Sequence, residues 1–327
     1  NGMELYQKMD AYVQQYYVNK KLILKKLVEY PKLMIQGQID FIERDSSDPS
    51  ISDQIIVEIK CVKEISIRYY IQLLLYNFCY YTKRNQIDKI YSNRYKIVNL
   101  LTGIEHYFVI KISSGNMFNL LNILSQVSGL KFNGMNLVYD LETTDAIKFI
   151  KPCGYRPIIP RSVIYHSGGK FYGKIYPEII EIAIKDYETE MTIINTLVQP
   201  EKPVKEFVEN LTSISQAMLV GKPGIEMIRH IMSDKTKNFI NCKMMAHNGG
   251  RFDDSIMIYE KLVDPKIITF IDTLSLIPMH MPDNTKLDSK KLGKIYVTLF
   301  GKKFKAHRAM ADVNALIQIM KHLKINF

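Results

Sequence analysis

The chain has 327 residues, 47% of them hydrophobic, which excludes a disordered polymer and leaves room for two domains. A net charge of +11 makes a polyanion the first partner to consider. The four cysteines show no C-x-x-C spacing, so free thiols in a reducing cytoplasmic or nuclear compartment are expected, not a zinc site. Neither a signal peptide nor an apolar run long enough to span a bilayer is visible, so no membrane partner is expected.

In chain order, residues 4–18 read as a helix rich in Tyr and Gln. Residues 22–30 and 33–43 follow as two β-type runs, then a polar loop over 44–50. Residues 54–61 read as a strand by β-branched content, and residues 69–83 as an amphipathic helix. Residues 96–101 and 106–112 read as a hairpin turning at Thr102-Gly103. Glu58 and Lys60 are two apart on one strand and share a face, and Asp40 ends a neighbouring strand. An Asp and a Glu can hold a divalent cation, and a Lys beside them can orient a water. Gln72 and Tyr76 are four apart on one helix face. The bland alternative is a Glu58–Lys60 salt bridge beside ordinary surface residues.

Residues 116–128 have helical spacing and stop at Gly129. After the turn Asn133-Gly134, the strand Val138-Tyr139-Asp140-Leu141-Glu142-Thr143 sends Asp140 and Glu142 to one side. Two adjacent carboxylates repel unless a cation lies between them. Residues 146–177 then carry six Lys/Arg and no acid, threaded with aromatics, with Ser167-Gly168-Gly169-Lys170 as a hairpin turn. This segment reads either as a substrate-guiding flap using Lys170 and Lys174, or as a solvated hairpin whose aromatics pack on the sheet.

Residues 177–186 and 190–198 read as two alternating strands, 224–232 as a helix and 243–247 as a short strand. The strand leads into Asn248-Gly249-Gly250-Arg251-Phe252-Asp253. Asp253 opens a helix over 252–262, as a third carboxylate of a metal site or a plain N-cap. Residues 266–272 are a further strand, and residues 286–305 carry seven Lys against one Asp. A closing helix contains Asp312 in its first turns, with His307 just before it, and ends near Leu323.

Two resemblances rest on these residues. Gly37-x-x-Asp40, Glu58-x-Lys60 and Gln72-x-x-x-Tyr76, followed by the final hairpin, resemble the RecB-like branch of the PD-(D/E)xK nucleases. D-x-E at Asp140/Glu142, N-x-x-x-F-D from Asn248 to Asp253 and H-x-A-x-x-D from His307 to Asp312 resemble the DEDDh branch of the DnaQ-like 3′→5′ exonucleases. The second resemblance covers residues 136–325, with a long insertion after Glu142 and one extra residue before Phe252. Together they imply an α/β chain. Residues 1–112 would form a restriction-endonuclease-like mixed sheet, residues 113–134 a connector, and residues 135–327 an RNase H-like (DnaQ) mixed sheet flanked by helices.

The resemblances also imply roles. Asp140, Glu142, Asp253 and Asp312 would hold two Mg²⁺ or Mn²⁺ ions, and His307 would be the general base. Thr143, Asn248, Arg251 and Phe252 would contact the strand. In the first domain Asp40 and Glu58 would be metal ligands, with a further acid from Glu4 or Glu29, Lys60 would serve the attacking water, and Gln72 and Tyr76 would meet nucleic acid. DNA is the expected partner and RNA the alternative, in replication, repair or nucleic-acid processing. A large DNA virus fits such a self-supplied pair of nucleases. The other readings are a single exonuclease whose first domain only binds nucleic acid, a non-catalytic clamp, and a proofreading fragment of a larger replicative protein.

Overall fold

The computed structural model describes residues 7, 11, 23–44, 54–282 and 287–327. Glu4, all but residues 7 and 11 of the expected first helix, and most of the polar loop at 44–50 lie outside them. The chain divides into two compact units, residues 1–130 with 188–190, and residues 131–187 with 191–327.

The first unit is built on a five-stranded sheet in the order β1-β2-β3-β4-β5. Its strands are β1 (Ile23–Tyr30), β2 (Ile35–Arg44), β3 (Gln54–Lys60), β4 (Ser92–Asn99) and β5 (Ile104–Lys111). Only the β3–β4 pair is parallel, and that pair requires a crossover. Helix α1 (Ile67–Thr82) and the short α2 (Ile87–Tyr91) supply it. Along α1, Leu73, Phe78 and Tyr81 are buried, as expected of an amphipathic crossover helix. Helix α3 (Ser114–Ser128) starts where the Ser113 hydroxyl accepts from the Asn116 N–H at 3.2 Å and stops at Gly129 in left-handed geometry. It belongs to this first unit.

The second unit opens with the short β6 (Phe132–Asn133) and is organised on β7 (Asn136–Thr143). An excursion follows: β8 (Lys148–Cys153), β9 (Ser162–Ser167) and β10 (Lys170–Ile175) form a separate sheet in the order β8-β10-β9. The turn at 167–170 is present, and β8 adds a third strand that the sequence did not suggest. The chain re-enters the main sheet at β11 (Ile179–Asp186) and β12 (Thr192–Leu197). Helices α4 (Glu206–Thr212), α5 (Gln216–Leu219) and α6 (Ile225–Thr236) come next. Strand β13 (Phe239–Ile240) pairs with β6. Then follow β14 (Cys242–Ala246), α7 (Asp253–Tyr259), β15 (Ile268–Asp272), α8 (Thr273–Met279), α9 (Leu292–Phe300) and α10 (Ala309–His322).

The main sheet runs β12-β11-β7-β14-β15, antiparallel on the β12–β11–β7 side and parallel through β14 and β15. This mixed sheet with flanking helices is consistent with an RNase H-like exonuclease fold. Its central strands are near-continuous apolar runs because both faces are covered. Val138, Ala183 and Met245 from the sheet pack with Val313, Leu316 and Met320 of α10. A carboxylate on β7 therefore projects between a sealed sheet and the first turn of α10.

Candidate active site

In the second unit β7 carries Asp140 and Glu142 on one face, and α10 delivers Asp312 from its first turn. One carboxylate oxygen from each of the three lies within 4.8 Å of the others. Asp253 opens α7 and is buried, with its Oδ1 cut off from solvent and without a hydrogen-bond partner. Phe252, not Asp253, holds the N-cap position, so the carboxylate is left free of the plain capping role. Asp253 is outside the three-residue cluster, yet among the charges acting on Asp140 it is the strongest.

The electrostatics follow from that crowding. Burial, then the charges of Asp253, Asp312 and Glu142, hold Asp140 well above the usual carboxylate range. Burial pushes Glu142 up to about 8, with Asp312 and Glu181 adding to it. Burial and the neighbouring Asp254 push Asp253 up to about 8. Asp312 rises to about 6 by burial, held back by the His307 N–H, which donates to Asp312 Oδ2 at 2.8 Å. Four crowded carboxyls with a sealed, unpartnered oxygen fit a divalent cation, which would supply the missing charge.

The remaining expected residues fall around this centre. His307 sits in left-handed backbone geometry (φ 65°), with its exposed side chain at the rim. It lines a cavity of about 740 Å³ together with Asn248, His247, Asp312 and the lysines 290, 291, 294 and 303. The basic run at 286–305 thus supplies α9 and one wall of a cavity that reaches Asp312. Arg251 is exposed and Phe252 half-buried. Thr143 is buried and donates its hydroxyl to the Asp145 carbonyl at 2.7 Å. Lys170 and Lys174 belong to the separate β8-β10-β9 sheet.

Two groups were not singled out from the sequence. Glu181 on β11 lies directly across from Glu142 and receives Arg308 Nη2 at 2.8 Å, Arg308 Nε at 3.1 Å and the Ala309 N–H at 2.8 Å. This bidentate pair fixes the start of α10, and with it His307 and Asp312. The one signal was a charge inside the apolar run Ile179-Ile180-Glu181-Ile182-Ala183. Asp272 accepts from the N–H groups of Asn248 (2.8 Å), Gly250 (3.3 Å) and Leu274 (2.9 Å), which pins the turn ahead of Asp253. A side chain at Gly249 would meet Asp254 Oδ1 at 2.6 Å and the Ala246 Cβ at 2.7 Å, so only glycine fits that turn.

The first unit gathers a second, smaller cluster. Asp40 lies midway along β2 and does not end it, because β2 continues to Arg44; its Oδ2 accepts from the Ile59 N–H at 2.9 Å, which ties β2 to the end of β3. Lys60 Nζ donates to Glu58 Oε1, which also accepts from Gln72 Nε2 at 3.1 Å, and that nitrogen lies 2.7 Å from the Tyr76 hydroxyl. Glu58 Oε2 is buried without a partner. Burial pushes Glu58 up to about 7, Lys60 opposing and Asp40 reinforcing. Gly37 is required by the same packing, since a Cβ there would lie 2.1 Å from the Tyr76 ring. Glu29 is exposed and pairs with Lys83 at 2.9 Å, so its carboxylate is engaged away from this group. All four cysteines are free, and no helix among the described residues is long and apolar enough to cross a membrane.

Comparison with known proteins covers nearly the whole chain in one relative and part of it in the others. An uncharacterized exonuclease of Acanthamoeba polyphaga mimivirus is 52% identical over 324 residues, which covers 99% of this chain and 100% of that protein. Among solved structures, E. coli exonuclease I in a single-stranded DNA complex is 16% identical, covering 59% of this chain and 40% of that one, with a TM-score of 0.42. Exonuclease X with 5′-overhanging duplex DNA is 20% identical, covering 57% of this chain and 92% of that one, with a TM-score of 0.33. The chain therefore spans well under half the length of exonuclease I. Residues 137–320, which include the four carboxylates and His307, match the RNase T family, described as exonuclease, and the chain belongs to that family.

Proposed function

We propose that the chain is a metal-dependent 3′→5′ exonuclease that releases nucleoside 5′-monophosphates from a nucleic-acid strand. The observation that carries this is the convergence of Asp140, Glu142 and Asp312 within 4.8 Å, beside a buried Asp253 whose Oδ1 has no partner, inside the matched exonuclease region. Asp140, Glu142, Asp253 and Asp312 would hold two Mg²⁺ or Mn²⁺ ions, which when bound supply charge for the attacking and leaving oxygens of an in-line displacement. His307, exposed on the rim, would accept the proton of the attacking water as the general base. Glu181 and Arg308 set where that imidazole stands. Asn248 and the cavity lysines meet the strand's phosphates, and Phe252 and Arg251 its terminal nucleotides. DNA is the favoured substrate, in replication, repair or processing. The relationship to a mimivirus protein supports a virus-encoded setting.

A second reading applies to the first unit. The Asp40–Glu58–Lys60 cluster, with Glu58 Oε2 sealed and unpartnered, supports a PD-(D/E)xK-type nuclease centre, with Gln72 and Tyr76 on the nucleic-acid side. Otherwise this unit serves only to bind the strand.

A Mg²⁺-dependent digestion of 5′-labelled single- and double-stranded DNA and RNA tests both readings. A descending ladder that disappears in Asp140→Ala supports the exonuclease, and its persistence at full rate refutes it. Cutting that survives Asp140→Ala and vanishes when Lys60→Ala is added supports the second centre. No surviving cut leaves the first unit as a binding module.

A further inference from the structure

The excursion between β7 and β11 has no part in the carboxylate cluster, yet it is built with care. It departs one residue after Glu142, and its neck is closed by the Thr144 N–H donating to the Glu178 carbonyl at 2.8 Å and the Glu178 N–H to Thr144 Oγ1 at 3.0 Å. Arg161 ties it to Glu260 just beyond α7 and to the Pro177 carbonyl at 2.7 Å, and Tyr176 stacks on Tyr259 of α7 with ring centroids 4.3 Å apart. The helix that begins with Asp253 therefore ends against the base of this sheet.

The strand registers sort its side chains onto two faces. Lys174 lies across from Phe149 on one side and Val163 on the other, and Tyr172 lies across from Tyr165. Lys170 is two residues before Tyr172 and shares their face. Ile150, Ile164 and Phe171 take the opposite face. The first face is open: Phe149 is 72% exposed and Tyr165 48% exposed, with Tyr155 72% exposed in the β8–β9 connection. Residues 146–177 contain six Lys/Arg and no acid; Lys148 pairs with Asp145 and Arg161 with Glu260, both outside this stretch, and Lys170 and Lys174 on the open face meet no acid within it. Large exposed aromatics cost solubility unless something covers them. Alternating rings and ammonium groups match a flexible strand, whose bases stack on rings while its phosphates meet the lysines. Rings with basic side chains also occur at membrane interfaces, so anionic vesicles are an arm of the test; here the rings and ammonium groups alternate across three strands, as a strand's bases and phosphates do.

We propose that this face of the β8-β10-β9 sheet is a platform for single-stranded nucleic acid, with Phe149, Tyr165 and Tyr172 stacking bases and Lys170 and Lys174 meeting backbone phosphates. It extends the proposed function, since it gives a strand held at the metal cluster a second holding point and makes affinity depend on strand length.

The test is anisotropy of labelled oligothymidylates, a trinucleotide and a dodecanucleotide, titrated with the full chain in EDTA so that no cleavage occurs. The wild type is expected to bind the dodecanucleotide more tightly than the trinucleotide. The Phe149→Ala/Tyr165→Ala variant is expected to lose about tenfold or more on the dodecanucleotide, and Phe149→Trp/Tyr165→Trp to retain it. Lys170→Glu/Lys174→Glu is expected to reduce the salt dependence by roughly one to two units of log–log slope. Thermal melts and the tryptophan variant separate lost contacts from lost folding. Dodecanucleotide affinity unchanged in both the alanine and the glutamate variants would overturn the proposal, as would a wild type that ignores the oligonucleotides and binds anionic vesicles. Because the assay is metal-free, failure of the exonuclease reading would show separately, as absence of the digestion ladder.

Discussion

The two acidic clusters of this molecule solve the same electrostatic problem in different ways. In the first unit Glu58 is given its own cation, Lys60, from two residues along β3, and a Gln72 amide on the same oxygen. In the second unit Asp140, Glu142 and Asp312 converge with Asp253 acting on them from beside, and Arg308, which offsets Glu142 only in part, is committed to Glu181. The first cluster can persist without an added ion. The second is a repulsion that Arg308 and backbone N–H groups offset only in part, and that a bound cation or protons would relieve. This difference teaches that carboxylate count alone does not mark a candidate metal site, whereas buried carboxylates short of compensating charge do.

The largest test of the contrast is Asp140→Ala. On the proposed reading, losing this carboxylate is expected to lower exonuclease activity on the order of 10³-fold or more, about 4 kcal/mol of barrier. The same change is expected to raise the melting temperature of the metal-free protein, since it removes one partner of the repulsion. A melting temperature that falls would break the comparison. Arg308→Lys comes next: it keeps the charge but not the two-pronged grip on Glu181, so activity is expected to drop roughly 10–100-fold with a displaced pH profile. A purely structural role would instead lower stability and leave the profile in place.

In the first unit Gly37→Ala must displace the Tyr76 ring, and with it the Gln72–Glu58 contact. The expected cost is about 1–3 kcal/mol, read by chemical denaturation. The smallest effect is on pH. Glu142 and Asp253 have folded-state values near 8 and Asp312 near 6, all above ordinary carboxylates near 4. Raised carboxyl values mean that the folded state holds protons the unfolded state has released, so their stabilisation is present in acid and is lost as pH rises from about 4 through 8. The metal-free protein is therefore expected to melt several degrees lower at pH 9 than at pH 6. Mg²⁺ is expected to reverse most of that loss with release of protons. A flat profile would mean that the carboxylates are compensated in some other way.

Much of this site was legible before any coordinates. Asp140 and Glu142 had to share a face because strand side chains alternate, and His307 and Asp312 had to flank a helix start. Asp40, Glu58, Lys60, Gln72 and Tyr76 were marked by residue type and spacing, and they meet in one cluster. Glu181 lies within an apolar strand, and nothing local shows that its partner lies 127 residues later at Arg308. The lysines of residues 286–305 registered as charge, not as the wall of a cavity. The third strand of the excursion was missed because Lys148–Cys153, with Pro152 inside it, lacks alternation.

By itself the sequence determined the chemistry on offer: which residues are acids, where strands turn and helices stop, and that the charge is positive. Those are properties of periods of two and 3.6 and of single turns, which are local. The tertiary structure alone decided which carboxylates are uncompensated, which glycines are irreplaceable and which face of the excursion stays open. Burial and pairing depend on what the rest of the chain packs alongside, and desolvation, which sets the charge state of every acid here, has no local signature.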